Sequence, residues 1–249
     1  MITGVKSLYD VGLKREINQD SILMEYDANI GLFAVADGMG GHSFGEVASG
    51  YIVTQLREWW LPVMANAANY TIQDVTSLCL DKIVEINRAI FTEFSSRNAV
   101  GGSTLVLMIV WGESYAILHA GDSRAYRHLG GVTQILTVDD VWENLEAIKA
   151  TMTEEEIMES PYRGKLTMAI GTMEDISVHF MIRPIEEGEQ ILLCSDGIYK
   201  YCDDNELHAI LADENFFHKT EEKKLRQMEK NVIANGARDN YSAILCRLK

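Results

Sequence analysis

Apolar and polar positions along this chain change period in blocks. Near the amino terminus, residues 5–9, 21–26 and 30–36 form short runs rich in β-branched and aromatic side chains, each bounded by Gly, Asp or Asn, which predicts closely connected strands. From Gly45 the spacing becomes helical: Val47, Tyr51, Ile52, Leu56 and Trp59 fall on one face. A second helical stretch carries Val75, Leu78, Cys79, Ile83, Ile86, Ile90 and Phe94. Four more strand-like runs follow at 104–111, 114–120, 123–129 and 132–136, and the Gly-Glu, Gly-Asp and Gly-Gly pairs between them predict antiparallel hairpins. Residues 138–170 turn acidic and locally helical, with Thr153 and Glu156 in capping-box spacing. The last third predicts strands at 176–182 and 190–195, helices near 204–211 and 221–235 with Gly236 as the stop, and a final strand at 241–248. Strands in blocks and helices in blocks point to an α+β fold of antiparallel sheets covered by helices. No glycine pattern of the Rossmann or P-loop kind contests this.

Composition narrows the picture. The 249 residues are 47% apolar and 24% charged, with three prolines and no Ser/Gly or Gln/Asn tract, so one folded domain over 1–249 without a long linker is expected. Lysine plus arginine number 22 against 37 acids, and the net charge of -15 disfavours nucleic acid and anionic membranes as partners. Lysines interrupt the amino terminus where a secretory signal needs an apolar core. The longest apolar run, residues 105–111, falls far short of the roughly 20 residues of a membrane-spanning helix. Cys79, Cys194, Cys202 and Cys246 lack zinc or redox spacing and read as reduced thiols of a cytoplasmic protein. The triplets that begin at Asn69 and Asn240 match the glycosylation pattern by chance.

The chemistry lies in where the acids fall. Residues 30–38 and 191–197 are apolar runs ending in Asp37-Gly38 and Asp196-Gly197, so each delivers a carboxylate to the end of a buried strand. Such a carboxylate costs several kcal/mol unless it is compensated, and the neighbouring sequence shows no cation at either place. An Asp that only caps a turn is the simpler reading of either pair alone. That reading weakens because Asn18-Gln19-Asp20, Gly121-Asp122-Ser123-Arg124 and Arg238-Asp239-Asn240 occupy similar junctions. Several carboxylates without a His or Cys cluster suit magnesium or manganese better than zinc or copper, and one Asp could bridge two ions. Gly38, lacking a Cβ, would let the backbone turn sharply and expose its carbonyl. Arg15 offers a planar fork suited to a phosphate.

The strings LKREINQDS, FAVADGMGGHSFGEVAS, GDSRAYR, LLCSDGIY and ARDNYSAILC, in that order, resemble the metal-dependent protein serine/threonine phosphatases of the phosphatase 2C type, in their bacterial form. The resemblance spans about residues 5–247. It implies a central antiparallel β-sandwich flanked by α-helices, four layers in the order α/β/β/α, with a flap insertion at about 138–166. It implies hydrolysis of phosphoserine and phosphothreonine by direct attack of a hydroxide shared by two Mn2+ or Mg2+ ions, without a protein nucleophile. Carried over motif by motif, Asp37 bridges the ions and the Gly38 carbonyl binds one of them. Asp196 and Asp239 complete the other ion's ligands, Asp20 holds water on an ion, Asp122 matches a carboxylate tied to a third ion, and Arg15 grips the substrate phosphate.

Two positions depart from relatives of that family. Met39 stands where the animal enzymes place a histidine, so the leaving-group proton would have to come from water, and nearby His42 reads as structural. Gln19 replaces a glutamate of many relatives, which lowers local negative charge. The flap carries Asp139, Asp140, Glu143, Glu146, Glu154, Glu155, Glu156 and Glu159, either as a solvated face or as a bias toward phosphosites with basic neighbours. Expected partners are phosphorylated proteins modified by a Ser/Thr kinase, with no nucleic acid and no membrane, and the protein is expected to be a monomer. Two alternatives stay open: a catalytically weak phosphoprotein-binding regulatory module of the same fold, and a different two-metal phosphoesterase.

Overall fold

The structure, a computed structural model, describes residues 1–41, 44–213 and 220–249, so His42 lies outside the described residues. Strands β1 (Ile2–Asp10), β2 (Asp20–Tyr26) and β3 (Ile30–Gly40) precede helices α1 (Phe44–Ala65) and α2 (Ile72–Ser96). Next come β4 (Gly101–Ser103), β5 (Leu105–Trp111), β6 (Ser114–Ala120), β7 (Arg124–Leu129) and β8 (Val132–Ile135). Short helices α3 (Glu146–Thr151) and α4 (Glu154–Glu159) interrupt the acidic segment. They are followed by β9 (His179–Pro184), β10 (Gln190–Cys194), α5 (Asp196–Tyr199), α6 (Asp204–Ala212), α7 (Thr220–Ala234) and β11 (Tyr241–Leu248).

One sheet runs β1-β11-β10-β7-β8. The other runs β2-β3-β5-β6-β9, with β4 paired to β3, and every strand pairing is antiparallel. The two sheets face each other across Phe33, Val35, Val106, Met108, Ile117, Ile191, Leu193 and Ile244. The alternate residues of the same strands point outward: Leu32, Ala34, Leu107 and Ile109 pack on α1 and α2, while Leu192, Cys194, Ala243 and Leu245 pack on α6 and α7. Covering both faces of each sheet explains why β3, β5 and β10 read as continuous apolar runs rather than alternating ones. The expected α+β architecture with layers α/β/β/α is what the chain adopts.

Local signals account for several boundaries. The Thr153–Glu156 box opens α4 as expected, and equivalent boxes at Thr71–Asp74 and Asp203–Glu206 open α2 and α6. Gly236, with φ 106°, follows α7. The apolar face expected for α1 is corrected. Ile52 and Leu56 are buried, but they share their row with Ala48, Trp60 and Val63, while Val47 and Tyr51 stay exposed. Gly45, Ala48 and Ser49 are small and buried, and that row lets the helix lie close against the strands. Strand β9 starts at His179 rather than at 176, and the three-residue β4 had no periodic signal of its own. All four cysteines are buried free thiols. Among the described residues no helix is long and apolar enough to cross a membrane.

Candidate active site

The second half of β3 carries Asp37 and Gly38 past the end of its pairing with β5 and into a pairing with β4. Gly38 does not turn the chain as expected. It stays extended opposite Ser103, and its requirement is space: a Cβ there would meet the Gly45 carbonyl oxygen at 2.2 Å and that of Gln19 at 2.5 Å. The second Asp-Gly follows the same logic, since a Cβ on Gly197 would meet the Asn240 carbonyl oxygen at 1.9 Å. Asp196 does not end a strand but opens the short helix α5, one residue after β10 and Ser195.

Asn240 staples the amino-terminal loop to the start of β11. Its side-chain amide donates to the carbonyls of Val11 (2.9 Å) and Ile17 (3.0 Å), and its Oδ1 accepts from Gln19 N at 2.9 Å. That staple holds the loop bearing Arg15 against Asp239. The guanidinium fork donates Nε to Oδ1 (2.9 Å) and Nη2 to Oδ2 (3.0 Å), a bond that raises the Arg15 pKa.

These elements meet around a cleft of about 420 Å³ lined by Arg15, Gln19, Asp37, Gly38, Met39, Gly40, Thr104, Asp122, Gly164, Lys165, Leu166, Asp196, Lys200, Asp239 and Asn240. The structure therefore brings Arg15, Asp37, Gly38, Asp122, Asp196 and Asp239 to one cavity. Asp20 is not among its lining. It pairs with Asp37 in the β2–β3 register, is 2% exposed, and takes hydroxyl donors from Ser195 (2.9 Å) and Ser242 (2.6 Å) on one oxygen. A separate cleft of about 380 Å³ between α1 and α2 is lined by Val47, Tyr51, Ala89, Ile90, Glu93 and Phe94, a set with no group to grip a phosphate.

The electrostatics are those of crowded carboxylates. Burial lifts Asp37 well above the usual carboxylate range, and the charges of Asp20, Asp196, Asp122 and Asp239 add to it. Among the described residues the Asp37 carboxylate has no hydrogen-bond or ion-pair partner. Burial likewise raises Asp20 to about 7, against the two serine hydroxyls, and raises Asp122 to about 6.

Cations do lie nearby, contrary to the sequence expectation. Lys200, one helical turn beyond Asp196, bonds that carboxylate through Nζ. Its four-residue spacing from Asp196 was the signal available for finding it. Tyr199 also escaped the motif reading. Its hydroxyl donates to the Asp122 carbonyl (3.0 Å) and is 3.3 Å from the Asp122 carboxylate, and its ring lies 3.7 Å beneath the Arg124 guanidinium. Arg124 in turn clamps Asp139 with contacts of 2.7 to 3.1 Å, fastening the start of the acidic segment beside Asp122.

Much of that segment's acidity is committed internally. Asp139 holds Arg124, Asp140 holds His179 and the Gly121 amide, Glu143 accepts from the Gly164 amide, and Glu156 caps α4. Where the segment borders the cleft it presents Gly164, Lys165 and Leu166.

The donor set suits hard divalent cations. Among the described residues it consists of oxygens, with no thiolate or imidazole, and the Asp37 carboxyl sits among four further carboxyl groups. In this arrangement, with Asp196 and Asp239 held by Lys200 and Arg15, no three His, Cys, Asp or Glu side chains among the described residues are grouped as a ready-made ion cage. A bound ion would draw those two carboxylates away from their cationic partners.

The sequence profile described as Protein phosphatase 2C matches residues 14–235. The chain belongs to the protein phosphatase 2C family. Among its relatives, the serine/threonine phosphatase stp of Listeria monocytogenes is 28% identical over 239 residues, covering 95% of this chain and 92% of that one. The serine/threonine phosphatase of S. agalactiae superposes with a TM-score of 0.85 at 26% identity, covering 99% of each chain. The catalytic domain of the serine/threonine protein phosphatase PstP, solved in complex with two manganese ions, superposes with a TM-score of 0.77 at 25% identity, covering 99% of this chain and 98% of that one. The five motif strings thus belong to the family they resemble, and protein phosphatase is the activity that membership carries.

Proposed function

We propose that this phosphatase 2C chain removes phosphate from phosphoserine and phosphothreonine in proteins, using two Mn2+ or Mg2+ ions held in the cleft by Asp37, the Gly38 carbonyl, Asp196 and Asp239. The observation that carries the reading is Asp37: a carboxylate with no partner among the described residues, facing a cleft with three other aspartates. A buried charge without a partner is retained at a stability cost, which points to a bound cation in the working state. The PstP complex with two manganese ions supports the choice of metal.

The ions would supply Lewis acidity and a water of lowered pKa for attack on phosphorus. The protein's own groups do the rest. Gly38 allows the close backbone approach that keeps its carbonyl beside Asp37. Asp20, ordered by Ser195 and Ser242, backs Asp37 across the β2–β3 pair and is suited to orienting water there. Arg15 holds Asp239 with the same fork it needs for phosphate. Released from Asp239, the two parallel donors of Arg15 would face the phosphoryl oxygens and offset the charge that grows on them. Met39 lines the cleft and carries no proton to give, so the leaving hydroxyl takes its proton from water in the cleft.

The substrate is a phosphorylated protein segment, in keeping with the serine/threonine phosphatases among its relatives. Glu146, Glu154, Glu155 and Glu159 remain exposed on α3 and α4 and favour basic residues flanking the phosphosite. The setting consistent with the charge, the buried thiols and the resemblance is a cytoplasmic monomer that opposes a Ser/Thr kinase.

The test is phosphate release from a phosphothreonine peptide with manganese, with chelator, and with Asp37→Ala or Asp196→Ala. Either substitution is expected to lower kcat/KM by about a thousandfold or more. Activity that survives chelator overturns the metal mechanism. Preference for phosphodiesters or metabolite monoesters would instead identify a different two-metal phosphoesterase, and equal turnover of acidic-flanked and basic-flanked peptides would remove the role given to the exposed glutamates.

A further inference from the structure

Asp140 stands at the root of the acidic segment, behind the cleft rather than in its lining, and its side chain is 13% exposed. Its main chain and its side chain grip the same glycine. The Asp140 amide donates to the Gly121 carbonyl at 3.0 Å, and Asp140 Oδ2 accepts from the Gly121 amide at 2.8 Å. The other carboxylate oxygen accepts from His179 Nε2 at 3.0 Å. That imidazole is stacked on His119, its partner in the β6–β9 register, with ring centroids 4.9 Å apart. The Asp140 carbonyl takes the Thr167 amide at 2.8 Å, so the chain leaving the acidic segment closes on this residue as well.

Gly121 comes directly before Asp122. It leaves β6 with φ 101°, and a Cβ there would meet the Thr104 side chain at 2.7 Å, so no other residue fits this turn. Its carbonyl belongs to the peptide unit that carries the Asp122 amide. Held by one bond, that unit could pivot; a second bond, to the amide on the other side of Gly121, stops it. We propose that Asp140 is a positioning residue of the phosphatase reaction: its carboxylate, oriented by His179, locks Gly121 and thereby sets the direction in which Asp122 enters the cleft. The inference rests on the reading of the cleft given above. The far side of the loop is already fastened, the Asp122 carbonyl by Tyr199 (3.0 Å) and Ser123 Oγ by Thr104 Oγ1 (2.7 Å), which leaves Gly121 as the joint at which Asp122 could swing. An amide donating to a carboxylate makes one of the stronger hydrogen bonds available for that joint. None of the groups bonded to Asp140 is a cleft carboxylate or a cation engaged with one, so an ion bound in the cleft leaves this clamp in place.

Steady-state kinetics with a phosphothreonine peptide and with p-nitrophenyl phosphate, which has no peptide to contact the acidic segment, separate this from a role in substrate choice. Asp140→Ala should lower kcat about tenfold on both substrates while KM for p-nitrophenyl phosphate stays within about twofold. Asp140→Asn keeps an oxygen to accept the Gly121 amide and should recover most of the loss. Asp140→Glu keeps the charge but carries the carboxylate one methylene away, and should not. In an Asp122→Ala background Asp140→Ala should cost nothing further, whereas a loss of general stability would recur at the same factor. Both main-chain bonds of Asp140 survive each substitution, so the variants should fold; if the alanine variant does not, the asparagine and glutamate variants carry the same comparison. Full kcat in Asp140→Ala, a loss confined to the KM of the peptide, or the same factor in both backgrounds would overturn the inference. Wild-type kcat in Asp122→Ala would overturn it too, while leaving the metal mechanism to its own test by chelator and Asp37→Ala. No phosphate release by the wild type would sink the phosphatase reading and this inference with it.

Discussion

Replacing Asp122 by asparagine should make the metal-stripped protein more stable at pH 8 while leaving it unchanged near pH 4. Asp122 is 7% exposed, and burial, then the charge of Asp196, raise its carboxyl from 3.8 to about 6 even though Lys200 pulls the other way. The folded chain therefore holds this proton more tightly than the unfolded chain does. Its contribution is fully present below the unfolded value near 4 and is lost as pH rises through about 6. Above that the ionised group costs about 3 kcal/mol, because each tenfold difference in proton affinity is worth about 1.4 kcal/mol. Asparagine keeps the shape and an acceptor for the Tyr199 hydroxyl but never ionises. Part of the gain is returned because Lys200 loses a neighbouring charge, so the expected stabilisation at pH 8 is about 2 kcal/mol. Urea unfolding of both proteins in EDTA, at pH 4 and pH 8, measures it. Equal stability at pH 8, or a less stable variant there, would refute the argument that this carboxylate is kept at the expense of the fold.

Gly38→Ala should destabilise the protein by about 3 kcal/mol, because the new methyl meets two backbone carbonyl oxygens that cannot swing aside; an unchanged urea midpoint would show that β3 can shift. His119 should steepen acid unfolding. Its Nδ1 is buried without a hydrogen-bond partner among the described residues, and burial, then the charge of His179, push its pKa down to about 4 against the opposing pull of Asp140. The unfolded chain takes up a proton near 6.5 and the folded chain does not until about 4, so this group's stability is present above 6.5 and lost as pH falls through that window, about 3 kcal/mol in all. His119→Phe removes the titration and should give a shallower acid limb in denaturant midpoints measured between pH 7 and pH 4. Coincident curves would show that His119 takes no part.

Much of the site was legible in the sequence because its chemistry is carried by short local strings. Asp37-Gly38 and Asp196-Gly197 announce themselves as acids closing apolar runs, and the cost of such burial is what makes the pattern informative. The strands were readable too, since a sheet covered on both faces needs uninterrupted apolar runs. The first helix was harder. Its residues 44–65 are apolar almost all round, so the 3.6 period identifies the helix without selecting between the row of Val47 and Tyr51 and the row of Ala48, Ile52, Leu56 and Trp60. The strands it lies on made that selection, through the small side chains that permit close approach.

Sequence alone determined the types of the longer elements, the antiparallel hairpins, the family and the identity of the aspartates that reach the cleft, because each depends on periodicity or on a contiguous motif. Tertiary structure decided the rest. Lys200 answering Asp196, Tyr199 holding Asp122, Ser195 and Ser242 ordering Asp20, and Arg15 engaging Asp239 join segments as far as 224 residues apart, or depend on the geometry of a single turn. Glycine at 38 and 197 answers to a neighbouring backbone rather than to a turn of its own. Which charge meets which acid is a property of distance in space, and linear spacing carries no measure of that distance once the chain has folded back on itself.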